Sequence, residues 1–163
     1  MKTVASLLLG LLPAMAQAFD VNGVALGGSE ADVKRAHPSA FCKPLEWKSA
    51  AADRRCDDAR ISFGGVRARA TFYLKADAIQ AFDLRFDSSA RDKVAAQLKS
   101  RWGAPLSETT ETFGRGERSD RKIYKARWAK GRDQALLTAP LDRKRATLSA
   151  SRGAFDEEIY RVR

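Results

Sequence analysis

The sequence has one histidine, two cysteines and five prolines in 163 residues. No apolar run approaches the roughly 18 residues that a membrane-spanning helix needs. One histidine and two cysteines cannot build a zinc cage of four Cys/His ligands. Nothing matches G-x-S-x-G, H-E-x-x-H or a Walker loop, so the motif-coded nucleophile, metalloprotease and nucleotide sites are missing. What is present is a globular composition, 44% hydrophobic and 31% charged. Thirty Lys and Arg stand against twenty Asp and Glu, a formal net charge of +10. One domain or two small repeats fit this length.

The first residues read as an address. Met1-Lys2-Thr3 precedes an apolar run from Val4 to Met15, followed by Ala16-Gln17-Ala18. A charged start, a short apolar stretch and an Ala-x-Ala site predict a signal peptide over 1–18, cleaved between Ala18 and Phe19. The expected location is periplasmic or secreted, and the remaining chain carries +9 because only Lys2 is lost. In an oxidising space Cys42 and Cys56 are expected to form a disulfide. Their spacing is too long for a C-x-x-C redox site.

Hydrophobic periodicity then divides the chain. Ser29-Glu30-Ala31-Asp32 predicts a capped helix carrying Val33, stopped by Pro38. Ser89-Ala90-Arg91-Asp92 predicts a second, with Val94, Leu98 and Trp102 on one stripe and Gly103 and Pro105 at its end. Strands are expected at 61–63, 66–74 and 81–87, with a turn at Lys75-Ala76-Asp77. A weak strand at 108–113 follows the second helix, then 123–128, 135–139 and a last strand around Ala146, Leu148 and Ala150. The tail 152–163 shows no clear element. The expected class is α+β: two tandem helix-plus-antiparallel-meander repeats, about 19–88 and 89–151, in one domain over 19–151, with helices on one face of an antiparallel sheet.

The opening Leu26-Gly27-Gly28-Ser29-Glu30-Ala31-Asp32-Val33, ending at Pro38, resembles the first helix of small exported domains of the β-lactamase inhibitory protein type. The second helix, ending Trp102-Gly103-Ala104-Pro105, has the same look. The small lipoprotein of the outer-membrane β-barrel assembly machinery belongs to the same broad group; its lipoprotein cysteine is absent here. The resemblance covers most of residues 20–151 as pattern. It implies a helix pair on one sheet face and a protein partner engaged by the opposite face or its rim.

No catalytic residue, metal or cofactor is expected. His37, the only histidine, reads as a satisfied or solvated residue at a helix end. Asp57-Asp58 and Glu157-Glu158 read as solvated loop acids rather than a glycosidase pair. Phe113-Gly114-Arg115-Gly116 lacks the strand and helix that a phosphate cradle needs. Charge is the stronger signal: residues 115–145 hold eleven basic and four acidic side chains, a net of +7. The candidate contact residues are Arg67, Arg69, Tyr73 and Lys75 on one strand face, with Arg121, Lys122, Lys125 and Arg127. The expected function is a non-enzymatic exported domain holding an envelope protein partner through an exposed sheet face. The alternative is an envelope module that binds anionic lipid or lipopolysaccharide through 115–145. Export argues against nucleic acid.

Overall fold

The computed structural model describes residues 18–114 and 121–161. The signal-peptide expectation therefore lies outside the described residues except for Ala18, as do Arg115, Gly116 and Arg118. No helix among the described residues is long and apolar enough to cross a membrane.

The fold is α+β around one eight-stranded antiparallel sheet. A short hairpin, β1 (Asp20–Val21) and β2 (Val24–Ala25), leads into helix α1 (Glu30–Ala36). Ser29 caps α1 with a full capping box: its hydroxyl accepts from the Asp32 amide, and the Asp32 carboxylate accepts from the Ser29 amide. Strands β3 (Phe41–Pro44), β4 (Arg54–Phe63), β5 (Val66–Lys75) and β6 (Ala78–Asp87) follow. Helix α2 (Arg91–Trp102) precedes β7 (Ser107–Phe113), β8 (Arg121–Lys130), β9 (Asp133–Pro140) and β10 (Arg145–Arg152). The strand order is β3-β4-β5-β6-β10-β9-β8-β7, so the two sequential sets meet where β6 pairs with β10.

One face of the sheet is the core. Phe72, Leu74, Phe82, Leu84, Leu137 and Leu148 are fully buried there, with Val33 of α1 and Val94, Leu98 and Trp102 of α2. The stripe predicted for α2 is thus the face it buries. Phe19 joins this core, its ring 4.7 Å from that of Trp102. Strand pleating sends the alternate residues to the opposite, open face.

Several expectations need correction. Ser89 does not cap α2. Asp87 takes the capping role instead, accepting from the Ser89 amide and starting a 3-10 turn over Ser88–Ala90 that runs into the helix. The strand expected at 61–63 is ten residues long, and β3 had no forecast at all. Within the tail, where no element was expected, lies a short helix, α3 (Phe155–Glu158). Phe155 and Ile159 pack with Trp47, Tyr73 and Ala81 on the open side of the sheet. Trp47 Nε1 and Ser49 Oγ donate to the carbonyls of Ile159 and Glu158, fastening α3 there.

Cys42 and Cys56 form the expected disulfide, joining directly opposed residues of β3 and β4. Asp57 and Asp58 are strand residues, not loop acids. Asp58 is buried and accepts from Ser39 Oγ and the Arg60 amide. His37 is not solvated: it caps the end of α1 and lies against Phe72, and its buried Nε2 has no hydrogen-bond partner among the described residues. Burial holds the imidazole below its ordinary 6.5, against the pull of Asp58 and of the Val21 backbone.

A depressed histidine value has a definite sign. As pH falls through 6.5, the unfolded chain takes up a proton that the folded chain refuses. This contribution to stability is complete above 6.5 and lost as pH drops below it toward the folded value. The urea midpoint is expected to fall between about pH 7.5 and pH 5.5, and His37→Leu to flatten that slope. An equal slope in the variant would assign the pH dependence elsewhere.

Candidate functional site

The open face is divided in two. Over the Tyr73 end, α3 and the 45–52 loop cover the sheet. Tyr73 is part-buried with its ring 5.5 Å from Phe155, and burial together with Asp83 pushes its hydroxyl up to about 12. Its ring packs against Phe155 under α3, with part of its surface still exposed. The rest of the open face is bare.

On the bare part lies an open groove of about 650 Å³. Arg60, Arg67, Arg69, Arg85, Lys144 and Arg145 line it, with Asp87 as its one carboxylate. Local structure explains the gathering. β4 bulges between Asp58 and Ile61, which displays Ala59 and Arg60 opposite Arg69. Arg69 and Arg85 are direct partners on β5 and β6, and Arg145 opposes Asp87 across the central pair. Lys144 comes from the β9–β10 turn. Among the described residues, none of the six cations forms an ion pair. Asp87 is engaged with Ser89. Like charges directly opposed on neighbouring strands cost stability, about 0.2–1 kcal/mol in this geometry. The cluster is thus a feature the fold carries at a cost.

The remaining candidates scatter. Lys75 is exposed at the end of β5, beside a second cavity of about 440 Å³ under α3. Arg121 pairs with Asp142 at 3.9 Å. Lys122 is exposed on the Tyr124 side of β8, away from the open face. Lys125 is on the open face but pairs with Glu111 at 2.7 Å and lies over the Phe113 ring. Arg127 is exposed beside Leu136 in a shallow pocket of about 420 Å³. The structure therefore unites Arg67 and Arg69 with Lys144 and Arg145 of the basic 115–145 region, and with Arg60 and Arg85, which the sequence reading did not select. Their signal was present: Arg85 alternates with buried Leu84 and Phe86, as Arg69 does with Ala68 and Ala70.

Other chemistry is thin. Glu30, Cys42 and Cys56 lie close enough to share an ion, but both sulfurs are consumed by the disulfide and Glu30 is held by Lys34 and Arg54. On the open face, burial holds the Asp83 carboxyl above its ordinary value, while a hydrogen bond from Ser149 and the charge of Arg85 pull it back. Asp57 accepts from Thr71 and pairs with Arg55.

No family model matches the chain, no curated protein matches it, and no solved structure matches it at a significant level.

Proposed function

We propose that this protein is a non-enzymatic binding domain, acting after export, that holds a protein partner through the bare part of its open sheet face. The observation that carries this is the groove lined by six cations, none of which forms an ion pair among the described residues, set on the eight-stranded sheet. Such a face attracts and orients an acidic surface, and the rate of encounter gains as much as the affinity. The α3 segment limits the docking area to the side of the sheet that carries the charge.

The same reading treats the chain as two copies of one helix-plus-meander unit, about 19–88 and 89–151. The element order supports it: α1 precedes four antiparallel strands, α2 precedes four more, and the last strand of each set meets the other at the centre.

A photo-crosslinking residue at Leu136, exposed on the open face, is the direct test. It is expected to capture a distinct protein in intact cells, whereas the same probe at Lys93 on α2 captures none. Arg69→Glu with Arg85→Glu is expected to cut the adduct by about 100-fold, as reversing close charge pairs does. Recovery of monomer alone from every open-face position would reject the reading. Crosslinks to lipid alone would replace it with the anionic-lipid alternative.

A further inference from the structure

The register of the sheet places one residue from each of six neighbouring strands in a line across the open face: Arg69, Arg85, Thr147, Thr138, Lys125 and Thr109. Every member is a hydrogen-bond donor, three are cations and none is a carboxylate. At about 4.8 Å between strands, the line is roughly 24 Å long. The row on the Tyr73 side is different. It runs Asp57, Thr71, Asp83, Ser149, Leu136 and Arg127, and its carboxylates are already engaged by Thr71, Arg55 and Ser149. In the row on the other side, Asp87 caps the 3-10 turn. The acceptors of the open face are thus used up by their neighbours, Glu111 by Lys125 of the line itself, while among the described residues Arg69 and Arg85 stand side by side without an ion pair.

We infer that this line is the seat of an extended acidic segment of the partner protein, laid across the strands with acidic side chains at alternate positions. The inference rests on the protein-binding reading above and specifies what that face holds. An extended segment turns every second side chain to one side, about 6.8 Å apart, so seven residues place four carboxylates along some 20 Å. Each carboxylate accepts from more than one donor, which suits six donor residues spaced more closely than four acids; Lys125, held by Glu111 through one N–H, has two more to offer. Guanidinium forks at Arg69 and Arg85 fix the charged end, and the hydroxyls of Thr147 and Thr138 continue the line. A compact anion would engage only the arginine end and leave the other four positions unused.

The test uses two fluorescein-labelled heptapeptides of one composition, Glu-Ser-Glu-Ser-Glu-Ser-Glu and Glu-Glu-Glu-Glu-Ser-Ser-Ser, titrated with the full mature chain. The alternating peptide is expected to bind about tenfold more tightly, because only its acids follow the line. Arg69→Ser with Arg85→Ser is expected to weaken it about 30-fold. Lys48→Ser with Lys93→Ser removes the same charge from exposed positions off the line and is expected to change affinity less than about twofold. Circular dichroism and thermal melting of both double variants establish that each is folded. Equal affinity for the two peptides, or equal loss in the two double variants, would overturn the inference. So would displacement of the alternating peptide by phosphatidylglycerol vesicles at matched anion concentration, which would assign the line to lipid headgroups. If neither peptide binds while the Leu136 probe still captures a protein in an Arg69- and Arg85-dependent way, this inference fails and the broader reading stands.

Discussion

Phe72→Ala is expected to destabilise the protein by about 3–5 kcal/mol, the usual cost of emptying a buried phenylalanine site. Phe72 has no exposed surface and sits in the middle of β5. It faces Cys56 across β4 and Phe82 across β6, and His37 lies on its ring at 5.6 Å. No neighbour can collapse into the space without moving a strand, because all three are tied by pairing, the disulfide or the end of α1. In a chain of this size the thermal midpoint is expected to drop by roughly 10 °C. Leu136→Ala, on the open face, is the internal control and is expected to stay within about 0.5 kcal/mol. Urea unfolding of both variants measures the contrast, and a loss below about 1 kcal/mol for Phe72→Ala would contradict this packing.

The second large effect concerns the staple. Cys42→Ala with Cys56→Ala is expected to cost about 3 kcal/mol, the chain-entropy value for a loop of this size. The separation is 14 residues, and the loop it closes contains Trp47 and Ser49. Those two side chains hold α3 on the sheet. The variant should therefore lose protection in two places, at β3 and at α3, although they are far apart in sequence. Hydrogen exchange by mass spectrometry reads both. Reductant is expected to reproduce the loss in the native protein and to do nothing further to the variant. Protection that falls at β3 alone would separate the two segments.

Much of the sheet was legible because its strands alternate cleanly. Ala68, Ala70, Phe72 and Leu74 point one way and Arg67, Arg69, Thr71 and Tyr73 the other, and the same holds for β8 and β10. The start of β4 was not legible. Arg54-Arg55-Cys56-Asp57-Asp58 reads as a polar loop, because Asp58 faces the core with its own hydrogen-bond partners, a circumstance periodicity cannot register. The tail was missed because α3 is a single turn whose two anchors, Phe155 and Ile159, make too short a stripe. The candidate surface was half legible. Arg67 and Arg69 follow from one strand and Arg85 from its hairpin partner, but Lys125 lines up with them only through the insertion of β10 and β9 between β6 and β8. Counting charge along the chain pointed to 115–145, which supplies Lys144 and Arg145, whereas Arg60, Arg67, Arg69 and Arg85 of the groove come from the other half.

The pairing of β6 with β10 also sets the order of assembly. Until the chain has been made as far as Arg152, β6 has a neighbour on one side only, and Phe82, Leu84 and Phe86 border an open edge. A half-made molecule therefore presents an apolar, unpaired strand, the kind of edge that recruits other chains. The seam joins distant residues, so its closure is slow compared with the hairpins on either side. The middle of the sheet therefore waits for β10, which follows β6 by more than fifty residues.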